Sequence, residues 1–270
     1  MEKVIVAFGP HEHATTTLRW AADLAALSGV PLEVVSVFEQ ASAEVAPDRH
    51  DALVAEHRAR IERTIGDPSD AAATIAVAVG SEPIEEFAQI LGASPGALGV
   101  IGARDTQRSG GLGAGFPGHA LLHHTTAPVA MVPADHEPLS GGVVVVGVDG
   151  STSNAEAMKW AEQFAAAAGG KIHAVFAYDP IDDSFSHPEG WHRHSDDVRR
   201  VVDEVSAVEV ELFMIAGQPT QVVVDHAQRE HASAIVVGTR GRGGFGGLVL
   251  GHVPSQLIAH APCPLIVVPH

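Results

Sequence analysis

The segment GTRGRGGFGGLVLG, from Gly238 to Gly251, combines two features that a phosphate requires of a protein. Its glycines let backbone N–H groups approach a ligand, and Arg240 and Arg242 are interleaved among them as cations. It follows the strand-like run Ala234–Val237 and precedes a helix-like SQLIAH stretch, so a helix N-terminus with free N–H groups lies close by. In open parallel sheets, ligands bind at this kind of place, beyond the carboxyl ends of the strands. A flexible loop would also be rich in glycine, but it would not require the two arginines.

Other constellations carry less. His187, His192 and His194 near Asp182, Asp183 and Asp196 lack the regular spacing that puts two metal ligands on one helix face, and His11-Glu12-His13 is equally isolated. Gly113-x-Gly115-x-x-Gly118 and Gly241-x-Gly243-x-x-Gly246 match a dinucleotide fingerprint, yet neither follows the first strand of a βαβ unit with a helix opening at its third glycine. Cys263 reads as a small hydrophobe entering a buried strand. No Walker loop, GxSxG elbow, HExxH or CxxC pair is present. We therefore predict no catalytic residue and no metal site.

The elements that must position the loop occur twice. VIVAFGPHEHATTTLRWAADLAALSGVPLEVVSVFE, from Val4, aligns without a gap on VVVGVDGSTSNAEAMKWAEQFAAAAGGKIHAVFAYD, from Val144. Trp20 falls on Trp160, Gly29 on Gly169 and Glu39 on Asp179; LLHHTTAPVAMVP from Leu121 likewise falls on LIAHAPCPLIVVP from Leu257. This is a duplication. It predicts domains over 1–136 and 140–270, joined through the polar stretch from Ala134 to Gly142.

Within each half, short β-branched runs alternate with helical stretches, the pattern of a parallel sheet covered by helices on both faces. In the second half the predicted strands are Val143–Val148, Ile172–Tyr178, Val208–Ile215, Ala234–Val237 and Leu265–Val268. Between the first two, Ala157, Trp160, Ala161, Phe164, Ala165 and Ala168 form one apolar helical stripe stopped by Gly169-Gly170. The third strand alternates Val208, Val210, Leu212 and Met214 with Glu209, Glu211 and Phe213, so it reads as a sheet edge with one largely wet face. The fold predicted is α/β: two tandem doubly wound, Rossmann-like domains, each a five-stranded parallel sheet.

Sixteen Lys and Arg against 33 Asp and Glu give a formal net charge of −17, a field that repels polyanions and excludes nucleic acid as the expected partner. A small phosphorylated ligand needs only local N–H groups and one or two cations. No apolar run reaches the ~20 residues of a membrane span, and MEKVIVAFG enters a strand-like run directly, so the expectation is a cytoplasmic protein with no membrane partner.

Gly238-x2-Gly241-x9-Gly251 one strand before the last resembles the ATP-binding signature of the universal stress proteins, and each half resembles that family over nearly its whole length. The resemblance implies ATP or another adenine nucleotide (ADP, AMP or cAMP), with Mg²⁺ accompanying ATP. It implies that Asp149, in GVDGS at the end of the first strand, contacts adenine and that the backbone of Ala177 meets the base. The implied site is Gly147, Asp149, Ala177, Gly238, Thr239, Arg240, Gly241, Arg242, Gly243, Gly244, Gly251, His252 and Val253. It also implies a regulatory stress-response module that is not an enzyme, pairs its two halves through their last strands and forms homodimers; a slow ATPase or a ligand-free scaffold are the alternatives.

The sequence departs from the family pattern at His252, Val253 and Pro254, where hydroxyl residues usually occupy the first and third positions. Pro254 supplies neither a side-chain donor nor a backbone N–H. In the first half, Gly9 stands where the second has Asp149, Asp105 where it has Gly241, and Phe116 where it has His252. That half is expected to have lost its ligand.

Overall fold

The computed structural model describes residues 1–9, 14–39, 47–66, 73–80, 83–103, 117–136, 139, 141–179, 188–241 and 250–269. The chain forms two compact units, Met1–Pro138 and Leu139–His270. Each contains five parallel strands with helices packed on both faces.

The first unit contains β1 (Lys3–Ala7), α1 (Ala14–Ser28), β2 (Leu32–Glu39), α2 (Pro47–Ile65), β3 (Ala73–Gly80), α3 (Pro83–Gly92), β4 (Ala97–Gly102), α4 (Pro117–His124) and β5 (Val129–Val132). Its strand order is β3-β2-β1-β4-β5. The second repeats the plan with β6 (Val143–Gly147), α5 (Thr152–Ala168), β7 (Lys171–Tyr178), α6 (Pro188–Asp203), β8 (Val210–Ala216), α7 (Pro219–Arg229), β9 (Ala234–Gly238), α8 (His252–His260) and β10 (Leu265–Val268). Its order is β10-β9-β6-β7-β8.

These are doubly wound sheets. The order runs outward in one direction from β6 through β7 to β8 and in the other through β9 to β10, so the chain reverses direction between β6 and β9. Neighbouring connections then leave on opposite faces and a crevice opens at the carboxyl ends of those two strands.

The sequence pattern explains the packing. The six predicted stripe residues of α5 are all buried, and Trp160 stacks on Phe164 with ring centroids 5.6 Å apart. Gly169 ends α5 in the left-handed region, φ 67°, and its N–H reaches the carbonyls of Ala165 and Ala166. In α1, Thr17, Trp20, Ala21, Leu24 and Ala25 are buried in the same register. β9 and β10 are buried along their whole length, as fits strands covered on both faces. Burial also pushes the Cys263 thiol up to about 12, consistent with an inert core residue. Among the described residues, no helix is long and apolar enough to cross a membrane.

β8 lies at the sheet edge, but its Glu211 and Phe213 face is not simply wet. Phe213 packs against the rings of His173 and His226, because α7 covers that side of β7. The alternation of β8 alone could not reveal this cover, which comes from a separate element.

Candidate functional site

β6 delivers Gly147 and, just beyond it, Asp149 to the switch point; β9 delivers Gly238 and the start of the glycine-rich loop. Asp149 is fixed by a local network. Its carboxylate Oδ1 accepts the Ser151 N–H at 2.9 Å, and its own N–H donates to Asn154 Oδ1 at 2.5 Å. Asn154, 4% exposed, donates from Nδ2 to the Gly147 carbonyl at 3.4 Å. One buried carboxamide thus pins the turn that presents the carboxylate.

Across the crevice, Thr239 closes the neck of the loop. Its N–H donates to Val268 O at 3.0 Å, and its carbonyl accepts the Gly251 N–H at 2.7 Å, so the chain leaves and returns at one point. Gly251 is the N-cap of α8, with extended backbone and no side-chain cap. Helix geometry leaves the first N–H groups of α8 without intrahelical acceptors, in a turn whose residues line the crevice. Pro254 removes one of them. Ser255, one residue further on, carries a hydroxyl, but Oγ donates it to the Gly251 carbonyl at 2.8 Å, so it does not replace the donor lost at 254.

Between these walls lies a cavity of about 630 Å³, within the 300–1,000 Å³ typical of small-molecule sites. Gly147, Asp149, Ala177, Gly238, Arg240, Gly241, Gly251, His252 and Val253 all line it. Val148, Val175, Val223, Val237 and Leu250 supply apolar surface, with Asn154, Pro219, Pro254 and Ser255 completing the wall. Thr239 is buried behind the wall. Arg242, Gly243 and Gly244 fall outside the described residues, as do Asp105, Gly115 and Phe116 of the first half. His187, Asp182, Asp183 and the His11–His13 run fall outside them too.

Gly241 sits directly over the Asp149 carboxylate: a Cβ built on it would fall within 3.0 Å of Oδ2. Asp149 and Gly241 come from separate strand ends, 92 residues apart in sequence. The structure brings them into contact, and contacting positions couple. Gly147 is also constrained, since a Cβ there would lie 3.1 Å from Val237 Cγ1 at the cavity floor.

The sequence reading missed Asn154, Val223 and Leu250. Asn154 had a signal, because it lies three residues before Ala157 on the apolar stripe of α5, where a polar residue needs a partner. Val223 comes from α7 and had none, since only the packing of that helix brings it to the crevice.

The sequence model of the universal stress protein family matches twice, over residues 1–133 and 142–269. The chain belongs to the universal stress protein family. A Thermus aquaticus universal stress protein is 31% identical over 132 residues, covering 46% of this chain and 96% of its own. A Mycobacterium bovis universal stress protein is 28% identical over 186 residues, which covers 63% of this chain and 58% of the relative. The chain thus spans under two thirds of that mycobacterial relative. A solved universal stress protein from Archaeoglobus fulgidus superposes over 98% of this chain and 96% of its own with a TM-score of 0.71 at 19% identity, a likeness of fold. Both repeats of this chain are therefore universal-stress domains with Rossmann-like sheets.

Proposed function

We propose that the C-terminal domain binds an adenine nucleotide in the crevice between β6 and β9, and that occupancy regulates the protein without turnover. The observation that carries this reading is the cavity itself. An apolar floor suits a base, a carboxylate at the end of β6 suits a polar base or ribose edge, and Arg240 with the first turn of α8 suits phosphate.

The departure at Pro254 bears on which nucleotide fits. A site with one backbone donor fewer, and with the Ser255 hydroxyl turned back on Gly251, grips a terminal phosphate less well than it grips base, ribose and the inner phosphates. ATP, ADP, AMP and cAMP all belong to the proposed ligand class. Mg²⁺ would arrive on the nucleotide's own phosphates, since Asp149 is the one carboxylate among the described lining residues.

Regulation follows from linkage. A ligand bound only by the folded domain stabilises it by about 2.7 kcal/mol at a hundredfold excess over Kd. Ordering the crevice walls in this way alters any surface that depends on them. Turnover would require a group that positions water, and Asp149 already engages Ser151 with one oxygen and faces Gly241 with the other.

Acid extraction of purified protein followed by mass identification tests the reading. An adenine nucleotide at near one equivalent, or a melting temperature raised by added ADP or ATP, supports it. Protein without nucleotide that shows no thermal shift with any of the four favours a ligand-free scaffold. Phosphate release well above background, abolished by Gly241→Asp, makes the domain a slow ATPase instead.

A further inference from the structure

Outside the crevice, two imidazoles are buried against each other. His173, on β7, is 2% exposed and His226, on α7, is 1% exposed. Nδ1 of the first faces Nε2 of the second at 3.0 Å. Phe213 holds both rings, with centroids 4.7 Å from His173 and 4.6 Å from His226. Glu230 lies one helical turn after His226 and donates its N–H to the His226 carbonyl at 3.0 Å, so imidazole and carboxylate share one face at i, i+4. One ligand atom from each of His173, His226 and Glu230 falls within 4.8 Å of the others.

We propose that His173, His226 and Glu230 bind a divalent first-row transition metal, with zinc as the best match, at a site distinct from the nucleotide crevice. None of the three lines the crevice. Two imidazole nitrogens each ~2.0–2.1 Å from one zinc ion are separated by about 2.9–3.4 Å for bond angles from a right angle to tetrahedral. The observed 3.0 Å falls inside that span. Two imidazoles and a carboxylate are a common zinc set, with a fourth position left to water.

Carboxylates supply negative charge around the pair. Nε2 of His173 faces Glu211 Oε1 at 3.5 Å, and Glu211 is itself ion-paired with Lys171. A carboxylate on that side of the ring favours a proton on Nε2 over one on Nδ1, which leaves Nδ1 free to bind a metal. The end of α7, at Arg229, adds the negative end of a helix dipole. A proton shared between the two rings also explains their 3.0 Å separation, but it gives the approach of Glu230 no role.

The full-length protein, freed of divalent ions by chelation, is titrated with Zn²⁺ by calorimetry and with Co²⁺ while visible d–d absorption is followed. One strong site per chain is expected, with intense Co²⁺ bands of low coordination number and a melting temperature raised by Zn²⁺. His226→Asn and Glu230→Gln should each weaken Zn²⁺ at least tenfold. Glu230 is only partly buried, unlike His226, so Glu230→Gln keeps the test valid even where His226→Asn fails to fold. Zn²⁺ and Co²⁺ binding in Glu230→Gln equal to the native protein overturns the proposal, as does the absence of any site at millimolar Zn²⁺.

Discussion

The two repeats present the same strand ends with different chemistry. In the C-terminal repeat, Asp149 follows β6 and Gly241 lies over its carboxylate. In the N-terminal repeat the aligned residues are Gly9 and Asp105, so the carboxylate has moved from the strand end to the loop. Asn154, which pins the Asp149 turn, aligns with Ala14, and Gly147 on the cavity floor aligns with Ala7. In the C-terminal repeat all four of these positions, Gly147, Asp149, Asn154 and Gly241, line the crevice. A duplicated fold therefore keeps its core while its crevice chemistry diverges, because core positions answer to volume and crevice positions answer to a ligand.

The largest expected effect comes from transplanting the N-terminal loop residue. Gly241→Asp brings a second carboxylate onto Asp149 and blocks backbone approach, and it should abolish measurable ADP binding. It should also lower the melting temperature. The pair Asp149→Gly with Gly241→Asp copies the N-terminal pair of residues; it should recover part of the lost stability, since the Ser151 N–H loses its Asp149 acceptor, but not the binding. Recovered binding would show that the position of the carboxylate does not matter.

Asp149→Ala removes a polar contact without adding repulsion, so about 10–100-fold weaker binding of both nucleotide and adenosine is expected. Replacing Arg240 and Arg242 together by Gln should cost ATP and ADP roughly 1.5–3 kcal/mol for each charge-assisted contact, read by competition binding, while adenosine is nearly unaffected. Equal losses for nucleotide and nucleoside would place the arginines away from the phosphates.

Asn154→Ala copies Ala14 into the C-terminal turn. It leaves the Asp149 N–H without its acceptor, and thermal or urea unfolding should show a loss of about 1–3 kcal/mol, with a smaller effect on affinity. The smallest effect expected is none: Asp105→Ala should not create a second site, because Gly9, Ala14 and Ala7 remain.

Much of this was legible in the sequence. The repeat, the α5 stripe from Ala157 to Ala168 and the buried β9 all rest on local patterns that the fold preserves. What was not legible depends on elements distant in sequence. Contact between Gly241 and Asp149 requires β6 and β9 to be neighbours, which strand order alone reveals. The cover over Phe213 and the pairing of His173 with His226 depend on where α7 packs. Only the His226-x3-Glu230 spacing was visible beforehand, and two residues on one helix face do not specify a third from a strand.

Titration calorimetry of the whole chain with ADP tests the asymmetry most directly. The account predicts one site per chain, lost in Gly241→Asp and unchanged in Asp105→Ala. Two equivalent sites per chain, or undiminished binding by Gly241→Asp, would contradict it.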